Sequence, residues 1–285
     1  MSRWKLLAGL LLFLAWAYLL MAAAMASDAD DDTLIFGAPP RGTEAEEAAT
    51  YAPLTEYLTQ ITGKKVLFEY AQNWLVYSKD MVDGKYDLVF DGPHFNGWRM
   101  ARLNHTPLVR LPEGHVFVVV VRADDSHIHE LRKLAGHTVC AHASPNLGTL
   151  ALLSQFTNPV RQPVIMEVQG WDKAYEGLIN GDCIAAVLPI KSLEKIENNR
   201  HQTKIIYQHR SLPNQAISAG PRIPEAMQHK IAAALLSEES KGITSKLRAA
   251  YGSKDFVPAN VDDYAGLGSY LNDVLYFSDR PGGAL

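Results

Sequence analysis

Short apolar runs alternate along the chain with amphipathic stretches, and Gly and Pro residues separate them, which orders the sequence into a β-α series. LIFGAPP, residues 34–40, is an apolar run stopped by Gly37 and Pro39 and reads as a buried strand. Residues 44–62 place Ala48, Tyr51, Leu54, Tyr57, Leu58 and Ile61 at helical spacing, and Gly63 ends that helix. KVLFEYA (65–71) predicts a second strand, and Asn73 caps a helix to about Val82 before the Asp83-Gly84 turn. YDLVF (86–90) predicts a third strand, followed by Asp91-Gly92-Pro93 and a helix through about Leu103. HVFVVVVR (115–122) is apolar on both faces and reads as a central strand leaving this first unit.

A second series follows the polar stretch ADDSHIHE. Leu131 to Leu134 predicts a short helix, HTVCAH (137–142) a strand, and Pro145-Asn146 the start of a helix to about Phe156. PVIMEV (163–168), CIAAVLP (183–189) and TKIIYQ (203–208) predict further strands, with helices over 172–180 and 191–199 between them. AISAG (216–220) reads as a return crossing, and Pro224 opens a long helix carrying Met227, Ile231, Leu235 and Ile243. Two α/β series alike in order, joined by two crossings, predict a clamshell of two mostly parallel sheets flanked by helices. The expected lobes are residues 33–118 with 217–275, and residues 119–216.

The first 26 residues stand outside this pattern. Arg3 and Lys5 precede an uncharged stretch from Leu6 to Ala26, and Ala24-Met25-Ala26 before Ser27 has the small-x-small form of a signal-peptide cleavage site. The reading is export to the periplasm through a cleaved signal peptide, which takes the formal charge from −4 to −6. An uncleaved anchor is the alternative, since the 21 residues from Leu6 to Ala26 could span a bilayer. Export also bears on the two cysteines. Cys140 and Cys183 in an oxidising compartment are expected to bond, because the third strand of such a unit commonly pairs beside the first. A mildly acidic chain, with a pI of about 6.2, has no basic surplus for nucleic acid or anionic lipid.

Ligands of open α/β sheets gather at the carboxyl ends of strands, where helix N-termini offer orphan N–H donors to anions. Four such junctions are legible: Gly37 to Arg41 with Pro39, Gln72-Asn73-Trp74, Asp91 to Phe95, and Ala143 to Thr149. They nominate Pro39, Asn73, Trp74, Asp91, Pro93, His94, Phe95, Ser144, Asn146, Gly148 and Thr149 as ligand-binding residues. Trp171 follows Gly170 at a helix start and joins Trp74 and Phe95 as an expected wall of the pocket. His94 is expected to donate to an oxyanion. His127 and His129 lack partners at metal-ligand spacing, so neither metal nor cofactor is expected. No Ser-His-Asp order, Walker loop or dinucleotide fingerprint is present, which argues against an enzyme.

LIFGAPP, LTQITGKKVLFEYA, MVDGKYDLVFDGPHF, LRKLAGHTVCAHASPNLGTLALLSQF and GWDKAYEGLINGDCIAAVLP together resemble the phosphate/phosphonate-type periplasmic binding proteins of ABC transporters. The resemblance covers about residues 33–250. It implies a type II periplasmic-binding fold with the ligand between the lobes, and a permease and ATPase as partners; the expected molecule is a monomer that holds a small anionic ligand. A sensory role feeding a membrane receptor is the alternative on the same fold. The chain departs from the aminoalkyl-phosphonate binders at three places. Its Ser144–Thr149 turn keeps fewer hydroxyls, Trp171 replaces a His, and Leu188-Pro189 stand where a carboxylate would meet an amine.

Overall fold

The computed structural model describes residues 32–252 and 254–277, so residues 1–26, for which a signal peptide is expected, lie outside the described residues. The first series comprises β1 (Thr33–Gly37), α1 (Glu44–Thr62), β2 (Lys65–Glu69), α2 (Trp74–Val82), β3 (Leu88–Asp91), α3 (Pro93–Leu103) and β4 (Thr106–Arg110). The second comprises β5 (Phe117–Arg122), β6 (Thr138–Ala141), α4 (Leu147–Leu153), β7 (Val164–Glu167), α5 (Trp171–Asn180), β8 (Ala185–Pro189), α6 (Ile190–Glu197) and β9 (Thr203–Gln208). The chain then returns through β10 (Ala216–Ala219), α7 (Glu225–Leu235), α8 (Glu238–Ile243), α9 (Ser245–Ala250), β11 (Val257–Pro258) and α10 (Val261–Tyr264).

Two sheets result. The first runs β11-β4-β10-β3-β1-β2 and the second β7-β6-β8-β5-β9. β1 is parallel to β2 and β3, and β6 is parallel to β7 and β8, as expected of β-α-β units. β10 lies antiparallel between β3 and β4, and β5 lies antiparallel between β8 and β9. Each sheet therefore takes one antiparallel strand at the point where the chain enters from the other lobe. The apolar run Phe117–Arg122, expected as a central strand where the chain leaves the first unit, is interior to the second sheet. Its both-face burial was read correctly, but burial cannot say which sheet supplies the neighbours.

Other differences are local. Leu131–Leu134 is a single 3-10 turn. The long helix predicted after Pro224 ends at Leu235, and Ser237 caps a new helix by accepting from the Ser240 N–H. The two crossings meet in a β-bridge, where His115 N donates to Leu212 O at 2.8 Å and Leu212 N donates to His115 O at 3.0 Å. A third segment also joins the lobes. Leu267 packs into a second-lobe cluster with Phe117 and Leu147, while Leu271 and Phe277 pack with Phe95 and Tyr77 of the first. No helix among the described residues is long and apolar enough to cross a membrane.

Cys140 on β6 and Cys183, just before β8, form a disulfide with Cα atoms 5.7 Å apart. The 43-residue separation gives a loop-entropy contribution of about 4 kcal/mol as an upper value. Replacing both cysteines with Ala is expected to cost about 2–4 kcal/mol by urea titration, with little change in the far-ultraviolet dichroism of the folded state. An unchanged midpoint would show that the packing of Tyr175 and Leu178 around the bridge does its work without it.

Candidate functional site

A cleft of about 1300 Å³ opens between the two sheets, at the carboxyl ends of their parallel strands. Helix starts from both lobes face it: Thr43 of α1, Asn73 of α2, Gly92 of α3, Asn146 of α4, Gly170 of α5 and Pro189 of α6 are all in its lining. Three of these helices, α3, α5 and α6, have no side-chain cap, so their first turns present N–H groups and partial positive charge to the cleft.

Full positive charge is added by Arg41 from the first lobe and by Lys191 and Lys195 from the second. The turn that carries Arg41 is held from beneath by Glu47, whose Oε1 accepts from the Arg41 N–H at 2.8 Å and the Gly42 N–H at 2.9 Å. The Arg41 guanidinium then donates to Tyr251 Oη and, at 3.5 Å, to Gln215 Oε1. Burial pushes the Glu47 carboxyl above its usual range. Its Oε2 is buried without a partner. The sequence reading placed Arg41 at a junction but passed over it, and it missed Lys191, Gln215 and Tyr251. A basic residue directly after a strand-ending Gly-Ala-Pro-Pro was the available signal. Gln215 and Tyr251 had none, because only the fold brings the return crossing and the end of α9 to this place.

Aromatic rings line both walls. Trp74 stacks on Phe95 with ring centroids 6.2 Å apart and planes 18° from parallel. Trp171 stacks on His142 at 3.9 Å, and His142 Nε2 accepts from the Gly170 N–H at 3.2 Å. Asn73 Oδ1 accepts from the Val76 N–H and Asn146 Oδ1 from the Gly148 N–H, both at 2.9 Å, so each caps its own helix beside the cleft. His94 is buried, and its Nε2 lies 3.0 Å from the carbonyl oxygen of Pro145 on the opposite lobe. Burial, with the charges of Arg41 and Arg99 nearby, lowers its pKa to about 3, so the ring is neutral.

Of the residues nominated from sequence, Asn73, Trp74, Pro93, His94, Phe95, Asn146 and Trp171 line the cleft. The other five do not, for separate physical reasons. Pro39 is buried behind Pro40, which takes the place at the rim. Asp91 is fully buried and faces Arg99 and Tyr77. The Thr149 hydroxyl is spent on the His142 carbonyl at 2.6 Å, and Gly148 is pressed against the Phe117 ring, which a Cβ would meet at 2.7 Å. Ser144 is exposed but outside the lining. The expectation for His94 also changes in kind: its one N–H is already directed at Pro145, which leaves no hydrogen for an oxyanion.

Two α/β lobes with a polar cleft between them, lined by Arg41, Lys191 and Lys195 and also by Glu46, Glu47 and Glu113, define the class of two-lobed binding proteins. Residues 36–264 match the family described as ABC transporter, phosphonate, periplasmic substrate-binding protein, and the chain belongs to that family. The family is one of proteins that work outside the cytoplasm. A curated relative, the phosphate-import protein PhnD of Mycolicibacterium smegmatis, is 31% identical over 121 residues, which is 38% of this chain and 36% of that protein. The chain thus matches little more than a third of that relative's length. Among solved structures, XAC2383 from Xanthomonas citri bound to ATP superposes with a TM-score of 0.67 at 14% identity, covering 85% of this chain and 99% of that one. PhnD1 from Prochlorococcus marinus in complex with methylphosphonate gives a TM-score of 0.65 at 14% identity, covering 85% and 98%. At such identities the likeness is one of fold, the type II periplasmic-binding clamshell.

Proposed function

We propose that the chain captures a small phosphorus oxyanion, of the phosphate, phosphite or phosphonate class, in this cleft and delivers it to an ABC permease and its ATPase. The observation that carries the reading is the convergence of Arg41, Lys191, Lys195 and three uncapped helix starts from both lobes on one cleft. The relatives named for phosphate import and bound to methylphosphonate agree with it in ligand class. In this reading Asn73, Asn146, His94 and Pro93 contact the ligand beside Arg41, with Trp74, Phe95 and Trp171 as walls. The protein acts as a monomer after removal of its signal peptide. The sheet-centred lobes close about the bridge at His115 and Leu212, and closure joins the rims of both lobes into the surface that the permease reads.

Isothermal titration with phosphate, phosphite and alkylphosphonates tests the proposal. Binding of one of them is expected, and Arg41→Ala is expected to weaken it by about 10- to 150-fold, the worth of a charge-assisted hydrogen bond. Binding unchanged by Arg41→Ala would place the anion elsewhere, and no binding of any of them would move the ligand outside phosphorus chemistry.

A further inference from the structure

Residues 264–277 pass from one lobe to the other, and none of them lines the cleft. The segment is fastened to the first lobe backbone to backbone. At Gly97 of α3 an added Cβ would lie 2.5 Å from the Tyr264 carbonyl oxygen and 2.9 Å from the Gly268 nitrogen. At Gly268 one would lie 2.8 Å from Trp98 Cα. Such approaches admit no side chain, so the 3-10 turn Leu267–Leu271 rides on α3 as one body with it. Leu271 and Phe277, both buried, pin the segment further by packing with Tyr77 and Phe95.

Two side chains of the same turn reach the second lobe. Leu267, 5% exposed, is seated in the cluster of Phe117 and Leu147. Tyr270 packs against clusters of both lobes, and its hydroxyl lies 2.9 Å from Nε2 of His209, the residue after β9. His209 Nδ1 is 2.9 Å from the Arg210 carbonyl oxygen, which only accepts. The ring hydrogen is therefore on Nδ1, and Nε2 accepts from the Tyr270 hydroxyl. His209 is buried, so losing this donor leaves its nitrogen unpaired. The turn moves with α3, whereas His209 is tied to β5, its N–H donating to the Phe117 carbonyl at 2.8 Å. These contacts cannot all survive a rotation of one lobe against the other. In the structure the cleft measures about 1300 Å³, while a phosphoryl anion of five heavy atoms fills on the order of 100 Å³. The contacts of Leu267 and Tyr270 thus belong to an open arrangement, and closing about so small a ligand withdraws them.

We propose that residues 264–277 are a strap that holds the clamshell open. Leu267 and Tyr270 are its positioning residues: they set the ligand's affinity without touching it, by stabilising the arrangement that does not enclose it. The inference rests on the reading of two lobes that close around a ligand and goes beyond it. A ligand's apparent affinity falls with the fraction of molecules able to enclose it, so whatever steadies the open arrangement weakens binding by the same factor.

Two variants test the strap. Tyr270→Phe keeps the ring and removes the hydroxyl, and Leu267→Ala empties the apolar seat. Titrated with phosphate and methylphosphonate, Tyr270→Phe is expected to bind about fivefold tighter than the unaltered protein, the worth of one hydrogen bond. Leu267→Ala is expected to bind about tenfold tighter or more. Urea midpoints are expected to fall in both. Tighter binding by a less stable protein is a signature that general damage does not give, since damage lowers affinity or leaves it alone. A second readout needs no ligand in the sample. Dyes on Glu56→Cys of α1 and Lys173→Cys of α5, both exposed positions, report the distance between the lobes by single-molecule energy transfer. The ligand-free population at the ligand-saturated distance is expected to grow by the same factors as the affinities. Affinities unchanged or weakened in both variants, or an unaltered distance distribution, would overturn the strap while leaving the phosphorus reading intact. If neither anion binds the unaltered protein, the phosphorus reading falls, and the change in distance distribution between variants and unaltered protein decides the strap alone. Should Leu267→Ala not fold, Tyr270→Phe decides.

Discussion

The ligand-free protein is expected to lose several kcal/mol of stability when it is taken from about pH 7 to about pH 4. Three histidines set the direction. Burial lowers His94 and His105 to about 3 and His115 to about 4. In the unfolded chain each imidazole takes up its proton near the ordinary value of about 6.5, while in the folded chain it stays neutral until far lower. Between those values the unfolded state binds more protons, so stability is fully present above about pH 6.5 and drains away as the pH falls toward the folded values. Each histidine contributes at most about 1.4 kcal/mol per pH unit, so three give a ceiling of about 4 kcal/mol per unit. Glu47 and Asp87 act against this in acid, because burial raises their pKa values and protonation relieves that strain. Urea midpoints measured across this range are expected to fall steeply, and a flat profile down to about pH 5 would show that the three rings are hydrated in solution. The positions matter for function as well as stability. His94 bridges the lobes, His115 lies in the crossing and His105 sits under Gly220 of the return strand. Acid therefore acts on the elements about which the lobes would move.

The two-lobed architecture was legible because its evidence is periodic. Strands such as YDLVF and helices such as residues 44–62 announce themselves by their apolar pattern, and the first two helices stop at Gly63 and at the Asp83-Gly84 turn. The parallel pairing of β6 with β8 beside the disulfide followed from the order of elements alone. What stayed hidden is set by long-range contacts. The strand β4 carries Pro107 and a charged end at Arg110, which blurred its pattern, and its edge partner β11 comes from residues far along the chain. Within the site, strand-end positions such as Asn73, Trp74 and Trp171 were read from spacing, since a helix start fixes where its first side chains go. Asp91 occupies the same kind of position, yet it turns inward because Arg99 two turns later on α3 pulls it under the helix. No local pattern separates these two fates.

Arg99→Met is expected to destabilise the protein by about 3–5 kcal/mol, the cost of leaving a buried carboxylate without its counter-charge. Arg99, Asp91 and Tyr77 are all fully buried, and each touches the other two. Arg99 Nη1 donates to Asp91 Oδ2 at 2.7 Å, Arg99 Nη2 donates to Tyr77 Oη at 2.7 Å, and Tyr77 Oη donates to Asp91 Oδ2. Asp91 Oδ1 accepts from the Gly92 N–H, and the Asn96 amide holds the Asp91 carbonyl at 2.7 Å, so this buried group also anchors the start of α3 at the cleft. Losing the guanidinium strands the charge and loosens that anchor together. The pair itself need not be net stabilising, since two ions have been taken out of water to make it. Asp91→Asn added to Arg99→Met removes the stranded charge while keeping an oxygen for the Gly92 N–H and an amide for Tyr77. The double variant is therefore expected to recover most of the loss, and a double-mutant cycle by urea denaturation measures the recovery. A double variant as unstable as Arg99→Met alone would show that the aliphatic packing of Arg99 under α3, and not its charge, supports the helix. Ligand binding sharpens the distinction. Asp91 faces away from the cleft, so a folded double variant is expected to hold its oxyanion within about threefold of the unaltered protein, as changes without ligand contact commonly do. A complete loss of binding with the fold retained would return Asp91 to the ligand's side of the wall.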